Sequence, residues 1–218
     1  MVQCLRILDD WSNIASMNRS RDTRDRLIRA GADIIAQQGF SSTGINQVLA
    51  SVGVPKGSFY HYFASKNDFG LAVIDTYACD YRTLLDATLR NDSLPPLARL
   101  DAYFAQGIER MEEHACASGC LIGNLGQELA AQNEVFRERL NAIFASWEQD
   151  FAACLEQAKI RGDLREDAEP EALAAFILCG WQGALLRAKL VKSPEPLRHF
   201  QRLIGQLLAP AKRSTKDH

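Results

Sequence analysis

The amino-acid sequence predicts an all-α fold in two modules, a short N-terminal group of three helices followed by a longer helical body. Three observations carry this. Apolar residues recur at three- and four-residue spacing in the long segments, and strand signals are absent. The breaks "NDSLPP", "RGDLREDAEP" and "KSPEP" combine Pro or Gly with polar turn formers. Charge is divided unevenly: from Arg19 to Lys66 seven Lys or Arg face three Asp, a balance of +4 in a chain of formal net charge -2, leaving -6 for the remainder.

Residues 1–18 show no sustained period and are expected as a disordered leader. From Arg21 to Gln38, Leu27, Ile28, Ile34 and Ile35 fall at helical spacing, with small Ala30 and Gly31 between them, and Gly39 stands where a helix C-cap belongs. Ser42 or Thr43 is the expected N-cap of a short helix carrying Ile45, Val48 and Leu49, which Gly53 closes. After Val54 and Pro55, Lys56 to Phe63 forms one more short helix. The last two of these helices are joined by a tight Gly-containing turn, so 19–66 has the outline of a helix-turn-helix.

The second module, 67–210, reads as helices over Asn67–Arg90, Pro95 to about Ala115, Cys120–Ala131, Glu134–Ile160, Pro170–Leu190 and Pro194–Leu208, before a polar tail at 211–218. The last two helices carry small Gly180, Gly183 and Ala184 and an apolar stripe of Leu197, Phe200, Leu203, Ile204 and Leu207. Two copies of this pair would make a four-helix dimer interface.

The chain has 218 residues, with 47% apolar and 24% charged, the proportions of a globular protein rather than a disordered or fibrous one. No run approaches the length of a membrane span, and "MVQCLRILDDW" carries Asp9 and Asp10 but no basic n-region, so neither a membrane partner nor export is expected. A cytoplasmic location follows, in which the six cysteines stay thiols.

The run "VPKGSFYHYFASK" places four aromatic rings and a histidine at five consecutive positions, 59–63. Phe59 and Phe63 are four apart and share a helix face, so they anchor a helix too short to be stable alone. Lys56, Ser58, Tyr60 and His61 then point elsewhere, with Tyr62 at the border. Outward Tyr and His suit phosphate oxygens and a thymine methyl, and Lys66 at the start of the next helix suits a phosphate. With the positive balance of this module, double-stranded DNA is the expected partner.

At Gly39-Phe40, Ser42-Thr43, Ile45-x-x-Val48-Leu49, Gly53-Val54, Gly57, Tyr60, Phe63 and Lys66, the stretch resembles the N-terminal domain of TetR-family transcriptional regulators. The resemblance implies an all-helical homodimeric repressor with a DNA-binding domain, a ligand-binding and dimerisation domain, operator DNA as partner and a small-molecule inducer. Carried over by position, it gives Thr43, Lys56, Gly57, Ser58, Tyr60, His61, Tyr62 and Lys66 as DNA contacts. No cofactor, metal or enzyme activity is expected. "HACASGCLIGNLGQELA" and "LLRAKLVKSPEPL" are similar to the branch of the family with the repressors of N-ethylmaleimide reductase and of acrylate utilisation. That similarity implies that Cys120 senses electrophiles and oxidants, with Lys189 as its partner.

The residues support the same idea, because a thiol at a helix N-terminus is favoured as thiolate by the helix dipole and further by a nearby ammonium. Gly119 leaves room for a small molecule. Other readings stay open. Cys120 could be inert core, and Cys116 a resolving thiol or, with His114, a metal ligand. Trp147, Trp181, Tyr103 and Phe104 could line a pocket for a noncovalent inducer or fill the core. A thiol-dependent enzyme using Cys120 and His114 is a further reading, although no oxyanion-hole turn, nucleophile elbow or third orienting group is visible. Cys79, Cys154 and Cys179 are expected in the core.

Overall fold

The computed structural model describes residues 3–209, with side chains from Arg21 onward. Among the described residues there are nine α-helices and one 3₁₀ turn and no strand: α1 Gln3–Gln38, α2 Ile45–Ser51, the 3₁₀ turn Lys56–Ser58, α3 Phe59–Tyr62, α4 Lys66–Ala87, α5 Pro96–Glu113, α6 Leu121–Leu129, α7 Glu134–Ile160, α8 Pro170–Val191 and α9 Glu195–Leu208. The tail at 211–218 lies outside the described residues.

Three expectations are corrected. The first helix starts at Gln3, so residues 3–18 continue α1. No Pro interrupts them, and extending an existing helix costs far less than starting one, even where no apolar period shows. The N-cap of α2 is Gly44, with no side-chain cap, instead of Ser42 or Thr43. Finally, α8 is long and apolar enough by length and composition to cross a membrane. One face of it is core, since Ala174, Ile177, Leu178, Trp181 and Ala188 are buried and the helix packs against α7 and α9.

The chain divides into two compact units after Tyr77, inside α4, rather than at its start. In the N-terminal unit Leu27, Ile28 and Ile35 of α1, Val48 and Leu49 of α2, and Phe59 and Phe63 meet Phe69, Val73 and Ile74 of α4 in one core. The first turns of α4 belong to this unit for that reason. Gly31 permits the approach: a Cβ there would run into the Phe69 ring, 3.1 Å from both Cε atoms. The start of α4 is fixed by reciprocal capping, with Asp68 N donating to Ser65 Oγ at 3.1 Å and Ala64 N donating to Asp68 Oδ2 at 2.9 Å.

In the second unit α7 packs against α5, α6 and α8, and α9 packs against α5 and α8. Aromatic rings form its centre. Tyr103 meets Phe151 at 4.9 Å, Phe104 meets Trp181 at 4.9 Å, and Trp181 meets Phe200 at 5.9 Å. Gly107 of α5 lies beneath the indole, where a Cβ would come within 2.6 Å of Trp181 Cζ2.

Candidate nucleic-acid interface and sensor site

The turn between α2 and α3 is built by Gly53 at φ +71°, a left-handed conformation that glycine adopts without strain, and by Val54 N donating to Leu49 O at 2.9 Å. Arg26 of α1 braces it, Nη2 donating to Val52 O at 2.8 Å. Phe59 and Phe63 are buried and form a three-ring cluster with Phe69, at 5.3, 5.7 and 5.0 Å between centroids. The Arg24 guanidinium lies over the Phe63 ring at 5.1 Å. Arg24 and Arg26 were not among the expected site residues, because their partners lie 39 and 26 positions away and no local pattern announces such contacts.

This anchoring leaves Tyr60 70% exposed, with Lys56, Gly57 and His61 also exposed and Ser58 and Tyr62 half-buried. Two expected DNA contacts are placed differently. Thr43 is buried, and its hydroxyl donates to Gly39 O at 2.6 Å, so its side chain pins the α1–α2 turn instead of facing a ligand. Lys66 Nζ donates to Ser41 O at 3.1 Å and lies 4.8 Å over the Phe40 ring. Its ammonium therefore ties the start of α4 to that same turn.

In the second unit, Ala115 and Cys116 take left-handed φ of 49° and 54° after α5. The chain then runs to Cys120, the N-cap of α6, whose sulfur accepts from Gly123 N at 3.5 Å. Cys120 and Cys116 are both buried. His114 is exposed, with Nδ1 2.9 Å from Arg110 O, so it does not share the setting of Cys120. Gln182 of α8 presses toward α6: a Cβ on Gly123 would lie 2.5 Å from Gln182 Oε1 and 3.6 Å from Cys120 Cβ. Glycine at 123 thus lets a carboxamide stand beside the cysteine. Lys189 is half-buried on the same face of α8, two turns beyond Gln182.

Tyr103 of α5 lies in the aromatic centre of this unit, beside Phe151 and Trp181. It is buried, and its hydroxyl is hydrogen-bonded to that of Tyr81 on α4. Burial pushes its pKa far up, and the negative charge of a Cys120 thiolate pushes it further, while hydrogen bonds from Tyr81 and Trp181 act the other way. The phenol stays an O–H at neutral pH. Tyr81 also stacks on Trp147, 4.3 Å between centroids. Gln182 was invisible as a site residue in the sequence, since only packing brings it to Gly123 beside Cys120.

A separate cavity of about 360 Å³ lies among the α7–α8 connection and the ends of α8 and α9, lined by Leu164, Ala168, Leu173, Leu207 and their neighbours. Trp181 and Cys120 do not line it. On α8, Phe176, Leu186 and Leu190 are exposed, and Leu203 and Leu207 are exposed on α9. Cys179 lies in the α8 stripe and is exposed, as is Cys79, against the expectation that both fill the core. The spacing 176, 179, 183, 186, 190 alternates three and four, which makes one continuous helix face.

Comparison with known proteins matches residues 27–73 to the bacterial regulatory proteins of the tetR family and residues 96–204 to a tetracyclin repressor-like C-terminal domain. The transcriptional regulator AcuR of Cereibacter sphaeroides is 44% identical over 180 residues, covering 83% of this chain and 82% of its own. The transcriptional repressor DhaR of Mycobacterium sp. strain GP1 is 36% identical over 188 residues, 86% of this chain and 93% of its own. The crystal structure of Escherichia coli NemR in its reduced form covers 87% of this chain and all of its own at 30% identity, with a TM-score of 0.78.

Proposed function

The chain belongs to the TetR family of bacterial transcriptional regulators, and we propose that it is a cytoplasmic, homodimeric repressor released from operator DNA by a small electrophile, oxidant or unsaturated carbonyl that reacts at Cys120. The observation that carries this reading is the position of Cys120 as N-cap of α6 with Gly123 N–H directed at its sulfur. Helix-end N–H groups and the aligned dipoles stabilise negative charge on that atom. DhaR and NemR bear the name of repressors, and NemR has been crystallised in a reduced form, which supports a redox-sensitive relative.

Operator contact is assigned to Lys56, Gly57, Ser58, Tyr60, His61 and Tyr62. Thr43 and Lys66 hold the α1–α2 turn that presents them. The apolar faces of α8 and α9 supply the dimer contact, and a dimer sets its two recognition helices on half-sites about one helical turn, or a multiple of it, apart. Release follows only if modified Cys120 favours a conformation that does not fit the operator, and about a hundredfold release requires roughly 2.7 kcal/mol of coupling. Helix α4 is the covalent route, since it contributes Phe69 to the core beneath α3 and Tyr81 to a hydrogen bond with Tyr103 of α5. Lys189 and Cys116 act on this site as thiolate partner and resolving thiol. The test is Cys120→Ser, which should keep operator affinity and lose release by N-ethylmaleimide, with the wild-type adduct located on Cys120 by peptide mass spectrometry. Full release of Cys120→Ser by the same reagent would return the protein to a noncovalent inducer.

A further inference from the structure

The Gln182 carboxamide lies where a side chain on Gly123 would stand: a Cβ there would come within 2.5 Å of Gln182 Oε1 and 3.6 Å of Cys120 Cβ. The Cys120 sulfur is turned into the same first turn of α6, accepting from Gly123 N at 3.5 Å. Cys120 is 7% exposed, so a group added to its sulfur has to displace a neighbour. Among the described residues the half-buried Gln182 carboxamide makes no hydrogen bond or ion pair, and it is the far end of a flexible side chain. Moving it therefore costs less than moving the backbone of either helix.

Its neighbours on α8 set the direction of that movement. One helical turn away on the inner side, Leu178 and Leu185 are buried and leave no room. On the outer side, also one turn away, Cys179 and Leu186 are exposed members of the apolar stripe. Gly183 stands between them and leaves open space, since a Cβ built there would meet nothing within 4 Å.

We infer that modification of Cys120 expels the Gln182 carboxamide from Gly123 onto the exposed face of α8, where it weakens the contact between two copies of this chain. The inference rests on Cys120 being the reactive thiol and on α8 and α9 forming the dimer contact. With a maleimide, sulfur bonds to one alkene carbon and the thiol proton ends on the other, so no leaving group, oxidant or reductant takes part. The adduct then fills the room the carboxamide held. On the stripe, beside Leu186, the carboxamide loses water on association and gains no hydrogen bond from apolar side chains, which opposes pairing. A two-fold dimer carries the expelled group twice.

The experiment measures the dimer dissociation constant of the full-length protein by sedimentation over a dilution series. Gly123→Ala puts a methyl where the adduct would press and should raise the constant about tenfold or more with no reagent present. Adding Gln182→Met should bring it back to within about twofold of wild type, because a flexible apolar side chain is tolerated on an apolar face. A second arm decides the matter if Gly123→Ala does not fold. In a Cys79→Ser, Cys179→Ala background, N-ethylmaleimide is added until peptide mass spectrometry shows Cys120 fully modified. Alkylation should weaken that dimer and leave its Gln182→Met form unchanged. Equal weakening with Gln182→Met would overturn the inference, as would a dimer that neither Gly123→Ala nor the adduct weakens. A Cys120 that resists the reagent would instead sink the covalent reading, and a wild type that is monomeric at every dilution would sink the dimer reading.

Discussion

Replacing Gly107 with alanine tests the packing that holds the sensor site together. In an open helical position, Gly→Ala stabilises a protein by about 1 kcal/mol, because alanine loses less backbone freedom on folding. At Gly107 the new Cβ would stand 2.6 Å from Trp181 Cζ2, with Cη2 at 3.4 Å and Cε2 at 3.5 Å. Ordinary carbon contact starts near 3.5 Å, so the indole must retreat by roughly 1 Å. It has little space to do so, being 2% exposed and held by Phe104, Tyr103 and Phe200. Overpacking of this kind costs about 1–3 kcal/mol, which outweighs the propensity gain and leaves a net loss of about 1 kcal/mol. Gly126 of α6 is the internal control, since a Cβ there meets nothing within 4 Å. Thermal unfolding should show Gly107→Ala lowered and Gly126→Ala raised, each by about 2–4 °C for a chain of this size. Trp181→Phe in the Gly107→Ala background should recover part of the loss, with a coupling of about 0.5–3 kcal/mol. If Gly107→Ala stabilised the protein as much as Gly126→Ala, the close approach of Trp181 to α5 would be refuted.

Lys56→Ala, at an exposed position of the 3₁₀ turn, should weaken operator binding on all sequences and reduce the log–log salt slope by about one in an electrophoretic or fluorescence titration, as loss of one phosphate contact does. Lys66→Ala should instead lower thermal stability by an amount on the order of 1 kcal/mol, since its hydrogen bond to Ser41 O and its contact with the Phe40 ring are lost. Leu186→Asp puts a charge in the exposed stripe of α8 and should give a folded monomer with weak operator affinity in analytical ultracentrifugation; an unchanged dimer would place the interface elsewhere. The Cys154 thiol is pushed up to about 11 from 9.0, chiefly by burial and against the pull of Arg99, and it also donates to Pro96 O at 3.2 Å. The folded state thus binds this proton more tightly than the unfolded state. Its contribution is fully present below about pH 9 and fades as pH rises toward 11, by an amount on the order of 2 kcal/mol. Cys154→Ala should flatten that part of a stability curve measured by urea denaturation; an equally steep curve would assign the loss to other groups.

The sequence by itself determined the helices from Arg21 onward, the two-module order and the family, because each depends on short-range patterns. Helical spacing of Leu27, Ile28, Ile34 and Ile35, the glycines at 39 and 53, and the prolines that open α5, α8 and α9 all act within a few residues of where they stand. The division of the aromatic run was legible for the same reason, with Phe59 and Phe63 inward and Tyr60 and His61 outward. Residues 3–18 were misread because a helix without an apolar period gives no local signal. Tertiary structure alone decided that Thr43 turns inward to Gly39, that Lys66 reaches Ser41 O and the Phe40 ring, and that Arg24 and Arg26 steady the recognition helix. It also decided that Gln182 of α8 meets α6 at Gly123, next to Cys120, and that Tyr103 of α5 pairs with Tyr81 of α4. No spacing within one helix encodes which face of another will meet it. That choice is made by packing many side chains at once, as in the fit of Trp181 over Gly107 and of Gln182 against Gly123.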